Sequence, residues 1–596
     1  MKPTSEILER INKSSSENSD GVFTRLYRYL LREDIYYAAY QKLYANKGAV
    51  TPGTDKDTAD GFGSEYILTL TKELADGTYK PKPVRRQYIP KANGKMRPLG
   101  IPSFRDKLLQ EAVRMILEAI YEPLFYEQSH GFRPARSCHT ALDQIKVNFR
   151  SVKWFIEGDI KGCFDNIEHE VLISLLEKKI KDSKFINIIR IFLKAGYMEN
   201  MVYNATISGT PQGGIVSPIL ANIYLHELDR KVGELKMEFD RPAPRNKTVE
   251  YSRLAKRRQT LQKKIEKASG EERKALMVEY RQVCQQKLHT PARLPEDKKL
   301  VYCRYADDFL IGISGSREDC EQIKQELKAF LQEELHLELS DEKTKITHSS
   351  ERVRFLGYDI SVRRSQEVKK RKDGYKQRTL NNSVELTVPL EDKVMKYLYQ
   401  NGVIEQRSNG EIWPICIPQL RYKPEVEIVK RYDAQVRGIC NYYCLAANYG
   451  MLKYFRYLME YSCLKTIASK TNSTTAKVLK KYHMADGWGI PYETKSGKRT
   501  AHFAKLSDCK VGKYMIDHDP WKYKSYEERG LTVRQRLEKG VCELCGKHSA
   551  NLQVYHAGSM KKLCKDTAWG QLMLNLKRKT LVVCEECHAK IHKGNS

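Results

Sequence analysis

At 596 residues the chain is long enough for several hydrophobic cores, and its 104 Lys and Arg against 74 Asp and Glu leave a formal charge of +30. That excess is more than solubility requires and points to a polyanion as partner. No apolar run approaches the roughly 20 residues of a membrane helix, and the polar N-terminus has no signal-peptide core, which excludes a helical membrane protein and implies the cytoplasm.

Residues 23–47 carry Leu26, Tyr27, Leu30, Leu31, Ile35, Tyr36, Ala39 and Leu43 at helical spacing and predict one N-terminal helix. Two short strands follow around the Asn93-Gly94 turn signal, a hairpin that concentrates basic residues at its tip. An amphipathic helix is predicted over 104–120. Ser129-His130-Gly131-Phe132-Arg133-Pro134 then makes a compact basic turn, in which His130 reads as structural.

The apolar stretch Trp154-Phe155-Ile156-Glu157-Gly158-Asp159 ends at an acid, and Tyr302 to Ile313 reads as a β-hairpin with Asp307 and Asp308 at its tip. Two unit charges about 4 Å apart cost about 4 kcal/mol at an effective dielectric near 20, so adjacent carboxylates need cations nearby. With Asp159 the hairpin acids make a triad able to hold paired divalent ions, and the backbone of Ile160 adds a carbonyl ligand. Taken alone, Asp-Asp also reads as a turn cap.

Between these acids, Ser208 to Pro218 is a small-residue turn leading into a helix over 219–228. Residues 235–300 read as a charged helical insertion, either a solvated hairpin or a basic face that meets RNA. Beyond the acidic hairpin, helices are predicted over 318–331, 384–398, 426–447 and 451–469, with a basic linker over 363–378. Trp488, Trp521 and many cations between 481 and 539 suit a nucleic acid.

The fifteen cysteines mostly sit in apolar contexts and read as reduced. Cys542, Cys545, Cys584 and Cys587 differ, forming two CxxC pairs that suffice for one tetrahedral zinc. Four thiolates leave no position for water, so that zinc is structural. His588 and His592 stand four apart on one helix face, the spacing of a ligand pair.

Asp159, then Pro211-Gln212-Gly213, then Tyr305-Ala306-Asp307-Asp308, in this order and followed by the cysteine-rich end, resemble group II intron-encoded reverse transcriptases over nearly the whole chain. The resemblance implies an α+β fold: a right-hand polymerase with fingers and palm, an α-helical thumb called domain X, a small DNA-binding segment and a zinc-binding ββα HNH-like module. Its boundaries fall at 1–82 for the N-terminal extension and start of the fingers, 83–362 for fingers and palm, 363–480 for the thumb, 481–540 for the DNA-binding segment and 541–596 for the module.

By the same resemblance Asp159, Asp307 and Asp308 are catalytic and hold two Mg²⁺, Lys91 and Arg97 meet the phosphates of the incoming nucleotide, Gln212 lines its site, and Phe164 excludes a 2′-hydroxyl. His556 matches the general base of an HNH endonuclease, with His588, His592 and a further divalent metal beside it. Tyr555 stands where that group carries a metal-binding His or Asp, and Lys579-Thr580 near its usual Asn, which leaves cleavage and a degenerate DNA-binding module as open alternatives. The implied partners are the group II intron RNA, an RNA template with a DNA primer, deoxynucleotides and target DNA. The rival readings are a splicing factor with a silent polymerase and a reverse transcriptase of another retroelement.

Overall fold

A computed structural model describes residues 3–90, 94, 96–199, 202–204, 209, 213–241, 247–290, 292, 298–365, 367–370, 376–378, 381–485, 487–494, 497–509, 532–560 and 563–594. In its first part lie strands β1 (Phe62–Gly63), β2 (Val84–Pro90), β3 (Met96–Ile101), β4 (Trp154–Asp159), β5 (Tyr197–Glu199), β6 (Val202–Asn204), β7 (Lys299–Tyr305), β8 (Asp308–Ser314) and β9 (Lys345–His348). The central sheet has the order β7-β8-β4-β9, antiparallel throughout. A second sheet, β3-β2-β5-β6, holds the basic hairpin.

Both faces of the central sheet are covered. Ile156, Phe309, Ile311 and Ile313 enter one core, while Phe155, Val301, Cys303 and Leu310 enter another. Burial on both sides explains why these strands are mainly apolar, Glu157 and Arg304 apart, without a polar residue at every second position. The first core continues through the helices Glu33–Leu43 and Phe104–Tyr121 to residues near the C-terminus, among them Val554, Val582 and Ile591. The second continues into the helices Glu425–Tyr442 and Leu452–Lys470.

Several expectations need correction. The N-terminal helix over 23–47 is broken into Tyr27–Leu30 and Glu33–Leu43, because Arg32 is extended and its guanidinium binds Asp34 at 2.8 Å. A further helix, Thr4–Glu17, buries Ile7, Leu8 and Ile11 and is tied down by the Thr4 N–H and hydroxyl, both donating to Asp34. Instead of a helix, Val384–Thr387 is a strand paired with Tyr358–Val362, its Val384 and Leu386 buried and their neighbours not. Inside the basic linker, Val368–Lys370 pairs with Lys376–Arg378.

Trp488 is a core residue, 7% exposed, whose indole N–H donates to Glu460 at 2.9 Å, so it presents no face to a base. Trp521 lies outside the described residues. The charged stretch folds as two helices, Val249–Lys267 and Gly270–His289, joined by Arg257–Glu279 at 2.7 Å, with only Leu261 and Val283 buried among their described residues. No helix of the described residues is long and apolar enough to cross a membrane.

Candidate active site and metal centres

Antiparallel pairing of β4 with β8 places Asp159 directly opposite Asp308, and Asp307 occupies the turn between β7 and β8. Three carboxylates from two chain segments therefore meet at one end of the two inner strands. Burial, and then the charges of Asp307 and Asp159, push the Asp308 carboxyl up to about 7. Burial also raises that of Asp307, against which Arg97 and Lys343 act as nearby positive charges. Lys343 donates to Asp159 at 2.8 Å, a contact that one lysine in a polar stretch gave no reason to expect.

The turn is held from behind. Arg304, fully buried, donates to both carboxylate oxygens of Asp229 at 2.7 and 2.5 Å, to the Ala306 carbonyl at 2.9 Å and to the Ser129 hydroxyl at 2.8 Å. Tyr302 adds its hydroxyl to Asp229 at 2.9 Å. Ala306 adopts a left-handed φ of 58°, and Gly131 packs so closely that a Cβ there would collide with the Ala306 backbone. At Gly158 the Phe309 ring occupies the space a side chain would fill, sealing the sheet just before the paired acids.

Around the triad, the backbone on either side of Ile160 is fixed: the Asp159 carbonyl accepts from Ser340 N–H, and the Lys161 N–H donates to the Glu338 carbonyl, each at 2.9 Å. The Ile160 side chain itself is buried. Phe164 sits half-buried on the short helix Cys163–Asn166, its ring edge-on to Phe132 at 6.1 Å. Phe132 is exposed and held at a φ of 56°, a backbone state costly for an aromatic residue, which nothing in the sequence of its basic turn signals. Arg97 is exposed near the tip of β3 opposite Ile89. Lys91 and Gln212 lie outside the described residues. His130 is structural, bonded to Thr140 at 2.9 Å and Gln144 at 2.8 Å, and burial lowers its imidazole to about 4.

Toward the C-terminus, strands Leu552–His556 and Thr580–Cys584 pair antiparallel and lead into the helix Glu585–Lys593. The sulfurs of Cys542, Cys545, Cys584 and Cys587 lie within 4.8 Å of one another, and those of Cys545 and Cys584 are 3.9 Å apart. Thiolates on one tetrahedral zinc, with bonds of about 2.3 Å, stand about 3.8 Å apart, so the cluster fits that ion. His588 and His592 stack edge to face at 4.7 Å. The ring of His556 turns elsewhere, its Nε2 donating to the Tyr44 carbonyl at 3.0 Å.

Three family models match the chain: reverse transcriptase (RNA-dependent DNA polymerase) over 89–246 and 276–360, type II intron maturase over 381–522, and AI2M/AI1M-like HNH endonuclease over 542–588. The group II intron-encoded protein LtrA of Lactococcus lactis subsp. cremoris is 52% identical, with the whole of both chains covered. The chain is a group II intron-encoded protein. It is a reverse transcriptase with a maturase domain, and so an RNA-directed DNA polymerase. This intron-encoded protein is also 36% identical to an uncharacterized 91 kDa protein in the cob intron of Schizosaccharomyces pombe, covering 98% of this chain and 72% of that one. A putative COX1/OXI3 intron 2 protein of Saccharomyces cerevisiae is 32% identical, over 98% and 68%. In the intron-encoded protein the acid triad falls within the reverse transcriptase match and the four cysteines within the HNH match.

Proposed function

We propose that Asp159, Asp307 and Asp308 hold two Mg²⁺ ions and join deoxynucleotides to a DNA primer on an RNA template. The cross-strand pairing of Asp159 with Asp308, beside Asp307, carries this reading. Bound there, paired ions stabilise the attacking and leaving oxygens of phosphoryl transfer. The protein's part is to hold its carboxylates in place through the buried Arg304 network, with the Ile160 carbonyl beside them as a further ligand. Arg97 and Lys91 supply positive charge for the nucleotide phosphates, and Gln212 lines the same site.

In this reading 1–82 is the N-terminal extension, 83–362 the fingers and palm with the insertion at about 235–300, 363–480 the thumb, 481–540 a DNA-binding segment and 541–596 the HNH-like module. The charge of +30 suits intron RNA, template, primer and target DNA, and the protein works as a ribonucleoprotein in the cytoplasm. A splicing factor with a silent polymerase is disfavoured, because three clustered acids repel one another to no purpose unless cations bind.

Phe164, against Phe132 and just beyond Asp159, is the gate beneath the sugar. It excludes a 2′-hydroxyl by bulk, since a clash discriminates where the two substrates differ by one atom. Primer extension on an RNA template tests this: Phe164→Ala raises ribonucleotide incorporation about tenfold or more relative to deoxynucleotide. Unchanged discrimination in an active variant assigns the gate to another residue.

The four cysteines hold a structural Zn²⁺, while His556, His588 and His592 are the candidates for a nuclease centre. Cys587→Ser loses the tightly held zinc and makes residues 541–594 more sensitive to protease, because four ligands close the site and three do not. Full zinc retention in the variant rules out the four-thiolate site.

A further inference from the structure

The histidine pair of the last helix meets a carboxylate from the opposite end of the sequence. Strand β1 pairs antiparallel with Leu552–His556, Phe62 opposite Val554 and Gly63 opposite Gln553, and the Gly61 N–H donates to the Val554 carbonyl at 3.0 Å. Adding this short strand carries Asp60 to the helix Glu585–Lys593. Asp60 Oδ2 lies 2.7 Å from His592 Nε2 and 3.3 Å from His588 Nε2, and its Oδ1 accepts the backbone N–H of His556 at 2.7 Å. The preceding residue is anchored: Ala59 is fully buried, its N–H donates to the Ala49 carbonyl and its carbonyl accepts from the Tyr40 hydroxyl.

We propose that Asp60, His588 and His592 bind one divalent transition-metal cation, so that the N-terminal region completes a metal site on the C-terminal module. The inference rests on reading His588 and His592 as ligands. Their Nε2 atoms and a carboxylate oxygen of Asp60 lie within 4.8 Å of one another. Donors in neighbouring positions on one ion, at bonds of about 2.1 Å, stand about 3–3.4 Å apart, the separation already found between Asp60 and His588. His588 Nε2 is buried without a well-formed hydrogen bond among the described residues, which a metal bond would remedy.

Two imidazoles and one carboxylate suit zinc, cobalt or manganese better than magnesium. Three protein ligands leave room for water or a phosphate oxygen, and the His592 side chain, 52% exposed, keeps that side open to solvent. The Tyr555 ring packs edge-on against both histidines, at 6.1 and 5.7 Å, and walls the site. Asp60 thus supplies the carboxylate that position 555 lacks. It lies outside every matched family segment, in a stretch that carries no metal motif.

The test is cobalt binding by the full-length protein, with metal content measured after equilibrium dialysis and the thiolate-to-cobalt absorption band reporting the intact four-cysteine cluster. Asp60→Asn, which keeps an acceptor for the His556 N–H, and His592→Ala are each expected to hold one equivalent less than wild type with that band unchanged. Cobalt equal to wild type in Asp60→Asn but reduced in His592→Ala removes Asp60 from the site and leaves the histidines as ligands. Equal cobalt in all three overturns both readings and makes the cluster an ion pair. A measurement that needs no variant stands beside this one: zinc shields His592 of the wild type, the exposed member of the pair, from acylation by diethyl pyrocarbonate. Undiminished acylation likewise overturns both.

Discussion

Asp308→Ala is expected to lower primer extension by about 10³-fold or more, because in the proposed two-ion centre the loss of this ligand removes several kcal/mol of transition-state stabilisation and each 1.36 kcal/mol is a factor of ten. Asp308 begins an inner strand of the sheet, paired with Asp159 and adjacent to Asp307, and its substitution leaves the basic surfaces of the chain untouched. Binding of the intron RNA, measured at fixed salt, should therefore stay within about twofold of wild type. Folding should not suffer either, since one of three mutually repelling carboxylates has gone. Parallel loss of synthesis and RNA binding would show that the acids support the fold as a whole and would remove the case for a separate catalytic centre.

The second large effect is expected at the pair behind the turn. Asp229→Asn leaves the Arg304 charge buried without its counter-ion, and breaking such a pair costs about 3–5 kcal/mol of stability. The denaturation midpoint should fall accordingly. A double variant, Arg304→Met with Asp229→Leu, replaces both charges by apolar groups of similar size and should recover most of that loss. It should not recover polymerisation, because the Ala306 carbonyl and the Ser129 hydroxyl have lost the donors that fix the turn. Stability and synthesis that return together would mean the network only fills space. Restored stability with a reduced kcat identifies Arg304 as a positioning residue.

What the sequence disclosed and what it withheld follow from the range of the signal. Trp154 to Asp159 is an apolar run ended by an acid and Tyr302 to Ile313 two apolar runs about an acidic tip, so the strands were legible locally, whereas Asp159 and Asp308 meet only through cross-strand pairing. The CxxC pairs were equally plain, since their spacing is itself the ligand geometry. Arg304 was invisible as an anchor because its partner is 75 residues away and a buried arginine looks like any other basic residue in a basic chain. Asp60 stands 532 positions from His592, and nothing in its loop marks a ligand. Val384 to Thr387 misleads for the opposite reason: its few apolar residues fit a helical spacing, and only pairing with Tyr358–Val362 makes it a strand. Trp488 lies among cations in the sequence yet serves packing, its indole N–H turned to Glu460.

The stacking of Tyr40 on Phe62, at 4.0 Å, in a core shared with Val554, Val582 and Ile591 has a practical cost for anyone shortening the enzyme. A chain cut before Val541 would strip the cover from that aromatic cluster and leave Phe62–Gly63 without its neighbouring strand. Such a fragment keeps Asp159, Asp307 and Asp308, yet it is expected to clump on purification until polar replacements are grafted onto the newly bared face.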